Sequence, residues 1–148
     1  MADEIVVLIT RLPHGVGLPV PARATPGAAG MDIVSAVDIT IAPGARLLVP
    51  TGFCVAVPAG YELQLRPRSG LALKHGISLP NTPATIDSDY RGEIRIIMIN
   101  HGDAPFHIRR GDRIAQLLVQ RVEQVEFREV SELPASDRGP GGFGSTGR

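Results

Sequence analysis

The chain has 148 residues, 43% of them hydrophobic, which points to one compact domain able to bury a core without disulfide or metal staples. Lysine plus arginine and aspartate plus glutamate both number 15, for a formal net charge of zero, so no broad charge field exists to hold nucleic acid or an anionic membrane, and an anionic ligand has to be bound by local geometry. The single cysteine, Cys54, lies in an alternating run where a buried structural thiol is expected, and it fits a reducing, cytoplasmic compartment.

The amino terminus passes from Met1-Ala2-Asp3-Glu4 into the short apolar run Ile5 to Ile9, too brief and too acidic at its start for a signal peptide or a membrane span. Beyond it, 17 glycines and 13 prolines punctuate short apolar runs, the cadence of many strands and tight turns. Strands are predicted at Ile5–Thr10, Val37–Ile41, Leu47–Val49, Phe53–Val57, Tyr61–Arg66, Glu93–Ile99, Phe106–Arg109, Ile114–Gln120 and Val125–Phe127. The expected fold is all-β, a jelly-roll-like barrel or sandwich. One helix is predicted, Ser69 to His75, opening on an N-cap residue type and followed by Gly76 as C′ residue.

Several stretches carry possible chemistry. Pro67-Arg68-Ser69-Gly70 gathers a guanidinium, a hydroxyl and helix-start N–H groups, which reads either as a phosphate site or as a capped turn. The stretch from Asn81 to Gly92, with Asp87, Asp89 and Tyr90, reads as a polar hairpin connection or as a rigid mount for a general base. Gly111-Asp112-Arg113-Ile114-Ala115-Gln116-Leu117 reads as a turn feeding a strand, with Gln116 free to point either way. His14, His75, His101 and His107 lack metal-ligand spacing and read as surface or helix-end histidines. The last eleven residues, Arg138 to Arg148, hold five glycines and one aromatic, Phe143. They read as a disordered tail, or as a mobile arm whose aromatic stacks on a flat ring while glycine amides and the Ser145 and Thr146 hydroxyls wrap an anion.

Taken together, five stretches resemble the ordered motifs of the trimeric dUTPase family. They are Ala29-Gly30-Met31-Asp32-Ile33, Arg66-Pro67-Arg68-Ser69-Gly70-Leu71-Ala72, Ile86-Asp87-Ser88-Asp89-Tyr90-Arg91-Gly92, Gly111 to Leu117, and Arg138 to Gly147. The resemblance implies a distorted jelly roll of the β-clip type at residues 1–137 and an arm at 138–148 that closes the active site. It implies hydrolysis of dUTP to dUMP and pyrophosphate, which lowers dUTP and supplies dUMP for thymidylate synthesis.

Residue by residue, the resemblance makes Asp87 the base for a water attacking the α-phosphorus. Arg68, Ser69, Gly70 and Gln116 would hold phosphates, Asn81 with backbone groups of Thr85, Ile86 and the strand near Arg95 would read uracil, and Tyr90 would sit under the deoxyribose. Arg138, Gly144, Ser145 and Thr146 would clamp the β- and γ-phosphates, and Phe143 would stack on the base. Mg²⁺ would be held by triphosphate oxygens and water, with no direct protein ligand and Asp32 steadying the water shell. The family is a homotrimer with sites between subunits, and neither nucleic acid nor membrane is implied as a partner. One departure is Ala84, where many bacterial members have glycine, a position that strains the hairpin if it needs positive φ. A dCTP deaminase on the same fold and a non-catalytic nucleotide-binding regulatory module are the rival readings.

Overall fold

The computed structural model describes residues 4–147; the residues before Glu4 and the final Arg148 of the arm lie outside them. Ten strands and one α-helix follow in order: β1 (Leu8–Arg11), β2 (Met31–Val34), β3 (Ile39–Ile41), β4 (Arg46–Ala56), β5 (Tyr61–Arg66), α1 (Ser69–His75), β6 (Ile77–Ser78), β7 (Ala84–Ile86), β8 (Glu93–Asn100), β9 (Phe106–Ile108) and β10 (Arg113–Arg121), with a 3₁₀ turn at Pro13–Gly15. They build two four-stranded antiparallel sheets, β1-β4-β8-β6 and β2-β10-β5-β7, and the ribbon β3-β9. The all-β, jelly-roll-like expectation with one short helix holds, as packed sheets and not as a closed barrel. Among the described residues no helix is long and apolar enough to cross a membrane.

The core follows from period-two alternation. In β8 the residues Ile94, Ile96, Met98 and Asn100 turn inward while Arg95 and Ile97 face out. Leu63 and Leu65 of β5 and Ile114 and Leu117 of β10 meet them from the second sheet in one buried cluster. Each such side chain, fully removed from water, contributes about 1.5–3 kcal/mol.

Several boundaries differ from the sequence reading. The two strands predicted at Leu47–Val49 and Phe53–Val57 are one, β4, interrupted by a register shift between Pro50 and Cys54. Three short strands were not anticipated: β2, which pairs with β10; β6, which pairs with β8; and β7, which pairs with β5. Each is too short to display a period. Cys54 is half-buried, opposite Thr10 and Glu93. Val125–Phe127 is not a strand. Val125 and Phe127 are 76% and 95% exposed, and the segment from Val122 to Gly147 is free of strand and helix.

Asn100 is the polar anchor of the core. Fully buried, it donates through Nδ2 to the carbonyls of Ile41 and Ala104 at 2.9 and 2.8 Å and accepts the Gly102 N–H at 2.8 Å, joining β8, β3 and the turn before β9. Removing one partner leaves buried groups unsatisfied. Asn100→Ala is therefore expected to lower stability by about 3 kcal/mol, measured by urea denaturation.

Candidate active site

Leaving β7, the chain crosses from one sheet to the other, so the stretch holding Asp87 is an inter-sheet crossing and not the hairpin expected. Its turn is closed by the Tyr90 N–H donating to the Asp87 carbonyl at 3.2 Å and by Arg91 donating to the carbonyls of Ser88 and Tyr90 at 2.7 and 3.0 Å. A cavity of about 230 Å³ opens beside it, lined in part by Asn81, Thr85, Ile86, Asp87, Tyr90 and Arg95. Six residues singled out from sequence thus converge on one concave surface. Asp87 also borders a second hollow, of about 420 Å³, where Asp89 lies, whereas Asp89 does not line the first. Of the two aspartates only Asp87 lines the space shared by Asn81 and Tyr90.

Tyr90 is held by its own neighbourhood. Its hydroxyl donates to the Glu93 carbonyl at 2.8 Å, which lays the ring over Gly92. A Cβ on Gly92 would come within 2.5 Å of the hydroxyl oxygen and 2.7 Å of Cζ. Gly92 is needed here for close approach, not for its backbone angle. Ala84 is buried in β7 and does not have positive φ; Phe143 is the only described non-glycine residue that does. The anticipated strain at Ala84 is absent, because its backbone is extended within a paired strand.

A second cluster lies elsewhere on the same sheet. Gln116 of β10 stands opposite Asp32 of β2 on one side and Arg66 of β5 on the other. Asp32 is bracketed by two guanidinium groups, Arg68 Nε at 3.5 Å and Arg113 Nη1 at 3.4 Å, and Arg68 also donates to the Arg113 carbonyl at 3.2 Å. A Cβ on Gly30 would approach Gln116 Oε1 to 3.1 Å, so the glycine leaves room beside that amide. Helix α1 starts next to this cluster with Arg68 as N-cap and no side-chain cap bond. Ser69 is thus the first helical residue and not the cap, and its hydroxyl is not spent on capping. In the order β2-β10-β5-β7, Asp32 lies on one edge strand and Asp87 just past the end of the other, edges that are three strand spacings or about 14 Å apart. The register sets Asp87 about 13 Å further along the strands, since Asp32 is level with Arg66 whereas Ile86 is level with Leu63. The structure brings together Arg68, Asp32 and Gln116, and separately Asn81, Asp87 and Tyr90.

Among the described residues, the arm makes no hydrogen bond or ion pair with either group. Its bonds are local: the Gly139 N–H donates to the carbonyl and hydroxyl of Ser136, Arg138 Nε donates to the Gly141 carbonyl at 2.8 Å, and the Ser145 and Gly147 N–H groups donate to the carbonyls of Gly142 and Gly144. Phe143 is fully exposed, and none of Arg138, Phe143, Gly144, Ser145 or Thr146 lines the cavity. Two residues of the site escaped sequence reading. Arg113 looked like the end of a turn, and only the strand pairing shows it beside Asp32. Glu93 looked like the first residue of a strand, yet it lines the cavity.

These features have parallels in known proteins. A family model described as dUTPase matches residues 17–147. The chain is 59% identical over 144 residues to the deoxyuridine 5'-triphosphate nucleotidohydrolase of Zymomonas mobilis subsp. mobilis, covering 97% of this chain and 99% of that one. It is 54% identical over 143 residues to the protein of the same name from Rhizobium rhizogenes, covering 94% and 92%. Among solved structures it is similar to Staphylococcus bacteriophage 80alpha dUTPase with dUpNHpp, with a TM-score of 0.87, 26% identity, and coverage of 97% and 99%.

The packing at Gly92 yields a test of the cavity itself. Gly92→Ala should drive the Tyr90 ring off its seat and break the bond to the Glu93 carbonyl while leaving the sheets unchanged, and a crystal structure of the variant checks both.

Proposed function

Since the chain belongs to the dUTPase family of hydrolases, we propose that it hydrolyses dUTP to dUMP and pyrophosphate at a site assembled from the Asp87 cavity of one subunit and the Arg68 cluster of another. The observation that carries this reading is the convergence of Asn81, Thr85, Ile86, Asp87, Tyr90 and Arg95 on one cavity. The product dUMP would feed thymidylate synthesis, and dUTP would be kept low. A reducing cytoplasm suits the free thiol of Cys54.

In this mechanism the base enters the cavity, where the Asn81 amide and the backbone of Thr85 and Ile86 offer both donors and acceptors to the uracil edge; cytosine presents the opposite pattern and leaves polar groups unpaired. The Tyr90 ring lies against the deoxyribose and occupies the volume of a 2′-hydroxyl. Asp87 accepts a proton from water as the water oxygen bonds to the α-phosphorus; the bond to the bridging oxygen breaks in line and pyrophosphate leaves. Arg68, Ser69, Gly70 and Gln116 hold phosphate oxygens, and Arg113, fixed beside Asp32, adds positive charge.

The donor chemistry fits Mg²⁺. Asp32 offers a hard carboxylate oxygen beside the phosphate-binding cations, and this ion retains water and shares phosphate oxygens readily. Asp32 would hold it through water, and the ion would supply charge neutralisation to the triphosphate. The arm completes the site: Arg138, Gly144, Ser145 and Thr146 close on the β- and γ-phosphates, and Phe143 covers the base.

A threefold assembly is supported by the separation of the two clusters within a chain, which lie toward opposite edges of one sheet and at different levels along it. Asp87→Asn should bind dUTP and lose about 10²–10⁴-fold in kcat, whereas Asp89→Asn stays near wild type; pyrophosphate release at saturating Mg²⁺ measures both, and the reverse order would move the base to Asp89. Mixing Asp87→Asn with Arg68→Ala subunits after co-refolding should recover activity that neither has alone, because some sites then draw both intact halves. Deleting residues 138–148 should preserve assembly by light scattering and lower kcat by about 10²-fold or more. Full-rate turnover by the truncated protein would return the arm to a bystander tail.

A further inference from the structure

Of the four histidines, His75 lies tilted against the Phe106 ring with centroids 4.9 Å apart, and His107 meets the Thr40 hydroxyl at 2.8 Å. His14 is placed differently. Its Nε2 lies 2.5 Å from Oε2 of Glu93, a residue of the cavity wall. Glu93 opens β8 at the point where β4 bulges: pairing runs through Pro50 with Arg95 and resumes at Cys54 with Glu93, so Thr51, Gly52 and Phe53 stand opposite Ile94 alone. Side chains replace the interrupted ladder. Thr51 Oγ1 donates to the Ile94 carbonyl at 2.6 Å, and the Gly52 N–H donates to Glu93 Oε2 at 2.9 Å. A carboxylate oxygen accepts, so in the tautomer that makes this bond the His14 Nε2–H donates.

The 3₁₀ turn carrying His14 is seated firmly on this bulge. The Leu12 N–H donates to the Gly52 carbonyl at 2.8 Å. Arg110 donates to the Val16 and His14 carbonyls at 2.6 and 3.3 Å, and Arg11 to that of Gly15 at 2.7 Å. While its side chain is fixed in this way, Glu93 accepts the Tyr90 hydroxyl through its main-chain carbonyl.

We propose that His14 is a positioning residue: by clasping the Glu93 carboxylate it fixes the carbonyl from which the Tyr90 phenol hangs, and with it the wall of the cavity facing the sugar. The sugar consequence rests on the reading of Tyr90 given above. The ring placement does not.

The chain has two tyrosines and no tryptophan, so in a Tyr61→Phe background all tyrosine emission reports Tyr90. In that background His14→Ala should raise acrylamide quenching of the emission and lower the preference for dUTP over UTP in kcat/KM about tenfold, the size of one lost hydrogen bond to a charged partner. His14→Gln, which keeps a donor, should restore both. Unchanged quenching in His14→Ala with a native circular dichroism spectrum overturns the proposal, and so does a His14→Gln variant as impaired as His14→Ala. If Tyr90→Ala leaves the nucleotide preference unmoved while His14→Ala still exposes the ring, the sugar reading of Tyr90 falls and the clasp stands.

Discussion

Between Ile86 and Glu93 the chain must leave one sheet and enter the other, and the site depends on how that crossing is held. Strand β7 is pinned to β5 and strand β8 to β4, so both ends of the crossing are fixed by ladders that the core stabilises. The residues between have no ladder. They rely on a turn bond from Tyr90 to Asp87, the guanidinium of Arg91 over two carbonyls, and the phenol of Tyr90 on the next strand. A polar segment anchored this way keeps its carboxylate in water while its flanks, Ile86 and Ile94, stay buried. That combination suits a group which has to exchange protons with solvent yet hold a fixed position.

The sequence was most readable where a local signal was long or chemically distinctive. Tyr61–Arg66 and Ser69–His75 match their predicted bounds, because one alternates cleanly and the other ends on Gly76, whose φ of 68° is the left-handed cap expected. Strands β2, β6 and β7 run only two to four residues, and their existence is decided by partners far along the chain. The converse error is Val125–Phe127, where alternation is present but strand pairing is not. The cavity residues were legible through motif resemblance, since identity and order suffice for that. Arg113 and Glu93 were not, because their roles arise from cross-strand pairing, from a bulge in β4, and from a histidine distant in sequence.

The two polar clusters also differ in how they are built. Asp32, Arg68 and Gln116 sit on or beside the paired strands β2, β5 and β10, with the Asp32 carboxylate between two guanidinium groups. A bound phosphate would have to compete with Asp32 for Arg68, which favours highly charged ligands over singly charged ones. The carboxyl-terminal arm has the opposite character. Its turns close on themselves, and its glycines and exposed Phe143 can be reorganised without disturbing the core; ordering them against a ligand carries a conformational entropy cost that enough simultaneous contacts must offset.

At the seat of the 3₁₀ turn, a Cβ on Gly15 would lie 2.4 Å from the Gly52 carbonyl oxygen, and one on Gly52 would lie 2.5 Å from the Gly15 Cα. What crowds each position is main chain, and main chain cannot be trimmed by a change elsewhere. Gly52 additionally has a φ of 79°, which side chains other than glycine rarely adopt. A side chain gained at either position therefore has no compensating replacement at the other: the pair cannot drift through paired exchanges as two packed side chains can, and a lineage that lost one glycine could recover the contact only by reverting.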